Sequence, residues 1–491
     1  MRRQRDNRAE DLLYTLGVRY ERWRREHSGE ARREPRTRAI LFGAGSAART
    51  LLHSMIFDPR SRFEPVGVLD DDPGTQGERL AGIAVVGTRA DLAAAVERTR
   101  AAAVIFTIGN AEGSLVREIR ALAIAAGVRF LVVPEMSETL DHALGAQDIR
   151  DVRITDLFGR HRIATDSAAI AGWLSGKRVL VTGAGGEIGS ELCRQIHRFE
   201  PAELIMLDHD EAALQSVQLS VDARAELHDP SVVLADVRDD ERMREVFRTR
   251  EPEVVFHAAA LQHQPLLERH PGEAVKTNVL GTLAVLEAAE DVELFVNVST
   301  AKAADPVSVL GYTKRIAEML VANIESERTG TFLSVRFGNV LGERRSVLTT
   351  FGAQIADGGP ITVTHPEVTR YLMTTQEAVT LVLQAAAIGD GGEALVLQLG
   401  EPVRIAEVAQ TMVELAGEPI DIVYTGLRPG EKLGETFLGP HEEGSRPHHP
   451  LIAHVPVPPL NPSEVRGLGA HPDVRMLADL CGPPSLETRA A

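Results

Sequence analysis

The sequence predicts an α/β protein built from two tandem doubly wound Rossmann-like domains, the second with a smaller C-terminal substrate-binding lobe. Three observations predict it. Short apolar strands alternate with helical segments at the interval expected for parallel strands joined by crossover helices. Twice, a strand runs directly into a glycine-rich turn and then a helix. After each of those turns, the next strand ends in an aspartate, Asp70 in one case and Asp208 in the other. At 491 residues the chain also exceeds what one hydrophobic core supports.

Taken in order, residues 1–36 form an Arg-rich extension in which Leu12, Leu13, Leu16, Tyr20 and Trp23 recur at helical spacing. A helix packed on its own protein or on a second subunit is the favoured reading. A membrane-surface helix is the alternative, against which Asp11, Glu21 and Glu26 interrupt the basic face. A polar linker over 26–36 leads into an accessory Rossmann-like domain at 37–150. Its first strand, 39–42, meets Gly43-Ala44-Gly45-Ser46-Ala47-Ala48, and a second, 66–69, ends in Asp70-Asp71-Asp72; further strands fall near 104–108 and 128–133. Ala48 replaces the third glycine, so a fold kept for assembly or regulation stands beside dinucleotide binding as a reading of this domain. Residues 151–175 read as a linker. The pattern restarts in a second domain at 176–440, with strands near 178–181, 204–207, 232–234, 254–256 and 294–298. From 441 to 491 a tail rich in Pro and His reads as an extended arm; its histidines lack ligand spacing, and no metal is expected.

Composition excludes several classes. A net charge of -17 gives no electrostatic footprint for nucleic acid. Two cysteines, Cys193 and Cys481, build neither a disulfide framework nor a zinc site, which fits a reducing cytoplasm. No apolar run reaches the length of a membrane span, and the N-terminus lacks a secretory signal's apolar core, so no integral membrane contact is expected.

The second domain carries the chemistry. Gly183, Gly186 and Gly189 fall where a strand turns into a helix, with Glu187 and Ile188 between the last two. Glycine there permits tight turning and lets backbone amides approach a pyrophosphate at the helix N-terminus. Asp208, ending the next strand, can accept from the ribose hydroxyls of an adenosine and would repel a 2′-phosphate, which favours NAD over NADP.

From Gly176 to about Leu438 the chain resembles the catalytic domain of bacterial polysaccharide-biosynthesis sugar-nucleotide 4,6-dehydratases. These are extended short-chain dehydrogenase/reductases acting on UDP-N-acetylglucosamine. The matching stretches include Val181-Thr182-Gly183-Ala184-Gly185-Gly186, Leu207-Asp208-His209, Glu273-Ala274-Val275-Lys276-Thr277-Asn278, Arg336-Phe337-Gly338-Asn339-Val340, Thr369-Arg370-Tyr371 and Arg428-Pro429-Gly430-Glu431-Lys432. The first domain resembles the family's accessory nucleotide-binding-like domain. Larger members begin with membrane helices that this sequence does not show.

The resemblance implies an internal redox reaction: hydride leaves sugar C4 for NAD, a base removes the acidified C5 proton, hydroxide leaves C6 with an acid's help, and hydride returns to C6. It assigns Thr300 to the C4 hydroxyl, Lys314 to the nicotinamide ribose, and Lys302 to the C5 proton if its site lowers its pKa. Asp236, Val237 and Ala258 join the implied cofactor contacts. His263, Asn339, Arg370, Arg428 and Glu431 are the candidates for holding a UDP-sugar, with His365 read as structural. A homo-oligomer is also implied.

The chain departs from the family at three places. Ala301 stands where the family has its acidic Asp, Leu310 where it has Tyr or Met, and Gln262 where it usually has Lys. Tyr312 lies two residues from Leu310, on a nearly opposite helix face. The sequence thus leaves three outcomes: dehydration with His263 or water as the acid, use of the 4-keto step for epimerisation or another elimination, and binding without turnover. Restoring the acid with Ala301→Asp is expected to raise dehydration more than C5 exchange.

Overall fold

The computed structural model describes residues 36–58, 60–109, 111–133, 145–158, 163, 165–222, 229–325, 328–341, 347–398, 400–468 and 472–482. The expected N-terminal helix and the linker before residue 36 lie outside them. The chain divides into two compact units, 1–162 and 163–491.

In the first unit, strands Phe63–Leu69, Thr37–Phe42, Ala103–Phe106 and Arg129–Val132 run parallel in that spatial order, and Arg150–Asp151 closes the edge antiparallel. Leu41, Val68 and Ile105 meet Leu51, Leu52 and Met55 of the helix Ser46–Phe57 in one buried cluster. Asp70 ties the turn down: its two carboxylate oxygens accept from Ala44 N at 2.5 Å and Asp72 N at 2.8 Å.

In the second unit, nine strands form one sheet among the described residues. Val232–Leu234, Glu203–Asp208, Arg178–Thr182, Val254–His257, Leu294–Val298, Thr331–Arg336 and Glu393–Leu397 lie parallel, in that order. Alternate residues of each strand enter opposite layers, as pleating requires. Leu180, Val255, Phe295 and Phe332 pack toward Val285, Leu286, Ile316 and Leu320. Val179, Val181, Phe256 and Leu333 pack toward Leu192, Ile196, Val379 and Leu383. Both faces are covered, the arrangement a parallel sheet requires. A smaller lobe follows: three two-stranded pairs, among them Ile361–Val363 with Ile422–Tyr424, and the helices Val347–Ala356 and Ile405–Ala416. These share a core of Phe351, Ile361, Val363, Val368 and Ile405.

Two sequence expectations are corrected. Residues 151–175 are not a free linker. The helix Ile154–Phe158 buries Leu157 and Phe158 in the first unit, with the Arg117 guanidinium 5.0 Å from the Phe158 ring centre. The helix Ser167–Leu174, capped by Asp166, buries Ile170 and Leu174 in the second. Nor is the stretch after 440 an extended arm. Ile452–Pro456 pairs antiparallel with Glu393–Leu397, and Ser445–His449 adds the outermost strand. The prolines misled because their positions are the tolerated ones: Pro447 is on the edge strand and Pro456 ends its strand.

Candidate active site

The strand Arg178–Thr182 delivers the glycine turn. Gly183 adopts φ +69°, and a Cβ there would lie 2.6 Å from Ala259 N. A Cβ at Gly189 would stand 2.0 Å from Gly183 O, so the helix passes the turn too closely for any side chain. Gly186 precedes the helix Glu187–His197 without a side-chain cap, leaving first-turn amides for a ligand. Asp208 accepts from Gly185 N at 2.9 Å and from Asp210 N at 3.0 Å, which fixes the turn against the next strand. This cradle fits the pyrophosphate of a dinucleotide.

Beneath it lies a buried, hydrogen-bonded polar floor. His257 bonds Thr182 Oγ1 through Nδ1 at 2.8 Å and Thr282 Oγ1 through Nε2 at 2.9 Å. Burial, reinforced by the charge of Lys314, pushes the imidazole down to about 3, so it is neutral at physiological pH. Lys314, on the helix Val309–Glu325, donates to Val298 O at 2.8 Å. Burial lowers its ammonium to about 8, against the charge of Glu318. A π-turn over Val275–Gly281 carries Asn278, whose amide bonds both backbone groups of Leu261 and the Thr313 hydroxyl. One buried side chain thereby locks the 261–264 loop to the Lys314 helix.

A cavity of about 740 Å³ opens above this floor. Gly183, Gly186, Glu187, Ile188, Gly189 and Ala258 line one side, and Thr300, Lys302 and Lys314 line its base. His263, Asn339, Arg370, Arg428 and Glu431 complete the wall toward the small lobe. Three of the residues assigned to the cofactor are not among its lining. Asp208 is tied into the glycine turn, Asp236 forms a fork with Arg238 at 2.5 Å, and Val237 is buried against Gly281. The Arg238 guanidinium holds the Asp236 carboxyl below its ordinary range, against burial.

The small-lobe contacts are prearranged. Arg370, buried, donates to Thr369 O at 2.7 Å and Leu433 O at 3.2 Å. Glu431 accepts from Thr364 Oγ1 at 2.8 Å and Arg428 N at 3.1 Å, so it shapes the 426–432 loop. His365 accepts locally from Glu367 N and is not among the lining residues.

Around Lys302 the structure differs from the expectation. The expectation named no partner for Lys302; its Nζ lies 3.2 Å from Glu435 Oε1. Burial pushes the Glu435 carboxyl up, but Lys302 and Arg370 outweigh it and hold the group below its usual range. Ala301 turns its methyl into an apolar cluster with Val396, Phe437, Ala453 and Val455, two of them from the C-terminal strand. It is not among the cavity's lining, whereas Leu310 is. Tyr312, half-buried, packs into the core on the other side.

Sequence reading missed two carboxylates. Glu435 follows the Arg428–Lys432 motif by three residues and carried no signal of its own. Glu268 lines the cavity four residues after Gln264; only its place in the loop-to-helix segment pointed to it.

Fold and site together define an extended short-chain dehydrogenase/reductase domain following a second Rossmann-like unit. The chain belongs to the polysaccharide biosynthesis protein family, which matches residues 179–456. A CoA-binding domain family matches residues 12–134. The chain is 40% identical over 422 residues to the probable polysaccharide biosynthesis protein EpsC of Bacillus subtilis, covering 85% of this chain and 71% of that protein. It is 40% identical over 411 residues to the capsular polysaccharide biosynthesis protein CapD of Staphylococcus aureus, covering 82% and 69%. A UDP-glucose 4-epimerase of Rickettsia canadensis is 35% identical over 275 residues, 53% of this chain and 77% of that one. Among solved structures, Pen from Bacillus thuringiensis is 29% identical with a TM-score of 0.54, covering 60% of this chain and 98% of that one. No helix among the described residues is long and apolar enough to cross a membrane.

Proposed function

We propose that the protein is an NAD-dependent enzyme that modifies a UDP-hexose through a 4-keto intermediate, and that it catalyses 4,6-dehydration of UDP-N-acetylglucosamine or a close relative. One observation carries this reading: a single cavity is lined by the glycine cradle, by Thr300, Lys302 and Lys314, and by Arg370 and Arg428. Cofactor, reacting groups and phosphate-binding groups would share one cleft of ordinary ligand-site size.

When bound, NAD supplies the hydride acceptor for C4 and the hydride donor for C6. The turn amides and Gly186 would hold its pyrophosphate, on a turn that Asp208 fixes from behind. Lys314, on its buried floor, orients the nicotinamide ribose and adds positive charge where C4 is oxidised. Thr300 accepts the C4 hydroxyl's hydrogen bond. Lys302, as the amine, takes the C5 proton, and Glu435 stabilises the ammonium that forms. Arg370 is already fixed by two carbonyls, so it meets the diphosphate without further ordering. The two cysteines are unpaired, as suits a cytoplasmic enzyme.

Epimerisation at C4 is the second reading. It is supported by the likeness to a UDP-glucose 4-epimerase and by the absence of an acid at Ala301. Incubation with UDP-N-acetylglucosamine and product mass analysis separate the two. Dehydration removes one water from the sugar; epimerisation leaves the mass unchanged. An unaltered substrate, with no isomer, contradicts both.

A further inference from the structure

With no acid at position 301, a dehydratase needs another group to protonate the hydroxide leaving C6. We propose that Glu268 is this proton donor, a role that rests on the dehydratase reading above. Glu268 lines the cavity that holds Thr300, Lys302 and Lys314. Its Oε1 accepts from Val309 N at 2.8 Å, at the start of the helix that carries Lys314 and beside the cavity-lining Leu310. That bond positions the carboxyl, and the second oxygen has no protein partner among the described residues. Burial pushes the carboxyl up from its ordinary range against the pull of the Val309 N–H, the direction a proton donor needs.

The alternatives on this wall are less well placed. His263 lines the same cavity, but no side-chain bond holds its ring among the described residues. Glu435 is deep, paired with Lys302, and held below its normal range, the opposite of what a proton donor requires. Tyr312 points into the core.

The elimination balances on these groups. Lys302, as the amine, takes the C5 proton; the C5–H electron pair forms the C5=C6 bond and the C6–O bond breaks. The Glu268 carboxyl proton goes to the departing oxygen, which leaves as water. Lys302 ends as an ammonium beside Glu435 and Glu268 as a carboxylate, with no electrons exchanged in this step.

Glu268→Gln tests the role, because the amide oxygen can still accept from Val309 N while the acidic proton is gone. The parent protein is first incubated with UDP-N-acetylglucosamine in heavy water. C5 deuterium wash-in reports the 4-keto step, and water loss reports elimination. In Glu268→Gln, water loss should fall by about 10² or more while wash-in falls far less. Glu268→Asp, which keeps an acidic proton, should recover part of the loss, and UDP-sugar affinity and melting temperature should stay near parental. Three results overturn the role: dehydration at the parental rate in Glu268→Gln, an equal fall of wash-in and water loss, or a selective loss of dehydration in His263→Asn with Glu268→Gln unaffected. Absence of wash-in in the parent contradicts the functional reading itself, and the role with it.

Discussion

Lys302 Nζ lies 3.2 Å from Glu435 Oε1, and Arg370 Nε lies 3.9 Å from that same oxygen. One buried carboxylate therefore neutralises both the group assigned to the C5 proton and a group assigned to the diphosphate. Glu435→Gln keeps the shape and removes the charge that would stabilise the Lys302 ammonium as it forms and that faces Arg370. We expect kcat to fall by about 10² while the fold persists, with loss of C5 wash-in at least as large as loss of water release. Steady-state kinetics with isotope exchange check this; an unchanged kcat would remove Glu435 from the account.

The methyl of Ala301 packs against Phe437, Ala453 and Val455, not into the cavity. The sequence alone led to the expectation that Ala301→Asp restores an acid. In the fold, that carboxylate would be buried among apolar side chains without a partner, at a cost of several kcal/mol unless it stays protonated. The expected outcome is a lower melting temperature and no gain in dehydration. Faster dehydration in Ala301→Asp would show that the side chain reaches the substrate after all.

Glu442 binds Arg336 and Arg315, with Arg336 also forked onto Glu318, whose Oε1 accepts from Ser299 Oγ at 2.6 Å. Arg336 is fully buried, and despite that burial the paired carboxylates hold its charge firmly. Glu442→Gln leaves part of this charge uncompensated beneath the strand that leads to Thr300. We expect a loss of about 3–5 kcal/mol in urea unfolding. A loss under about 1 kcal/mol would contradict a buried charge left uncompensated.

Lys314 carries a cost that depends on pH. Its folded value is about 8 against 10.5 as the reference, chiefly through burial. Below pH 8 both folded and unfolded chains hold the proton, so the penalty for a buried ammonium is fully present. Between 8 and 10.5 the unfolded chain holds more proton than the native one, and native stability rises with pH. Lys314→Met should therefore be more stable than the parent by about 1–3 kcal/mol at pH 7, allowing for the lost bond to Val298 O. That advantage should shrink as pH passes through 8 to 10.5, while turnover is lost throughout. Urea titrations across this range check it; a gain that does not change with pH would contradict the buried-charge account.

The sequence made the parallel strands legible because each is a short apolar run ending at a turn with a physical reason, as at Gly183 and Asp208. The lining residues on the glycine and arginine sides were legible for the same reason: their motifs are contiguous. What escaped is what the fold assembles from distant segments. Glu435 acquires meaning only when folding sets it beside Lys302. Ala453 and Val455, which wall in Ala301, sat inside a stretch whose Pro and His content hid an alternating strand. The Asn278 clamp depends on a π-turn, which no hydrophobic period announces.

The most direct measurement follows the sugar's C5 hydrogen. Purified protein, shown by denaturation and assay of the supernatant to carry NAD, is incubated with UDP-N-acetylglucosamine in heavy water and sampled by mass spectrometry. The account predicts one deuterium incorporated at C5 and a product lighter by one water. A fully NAD-loaded protein that leaves UDP-N-acetylglucosamine and related UDP-hexoses without deuterium and unchanged in mass would contradict it.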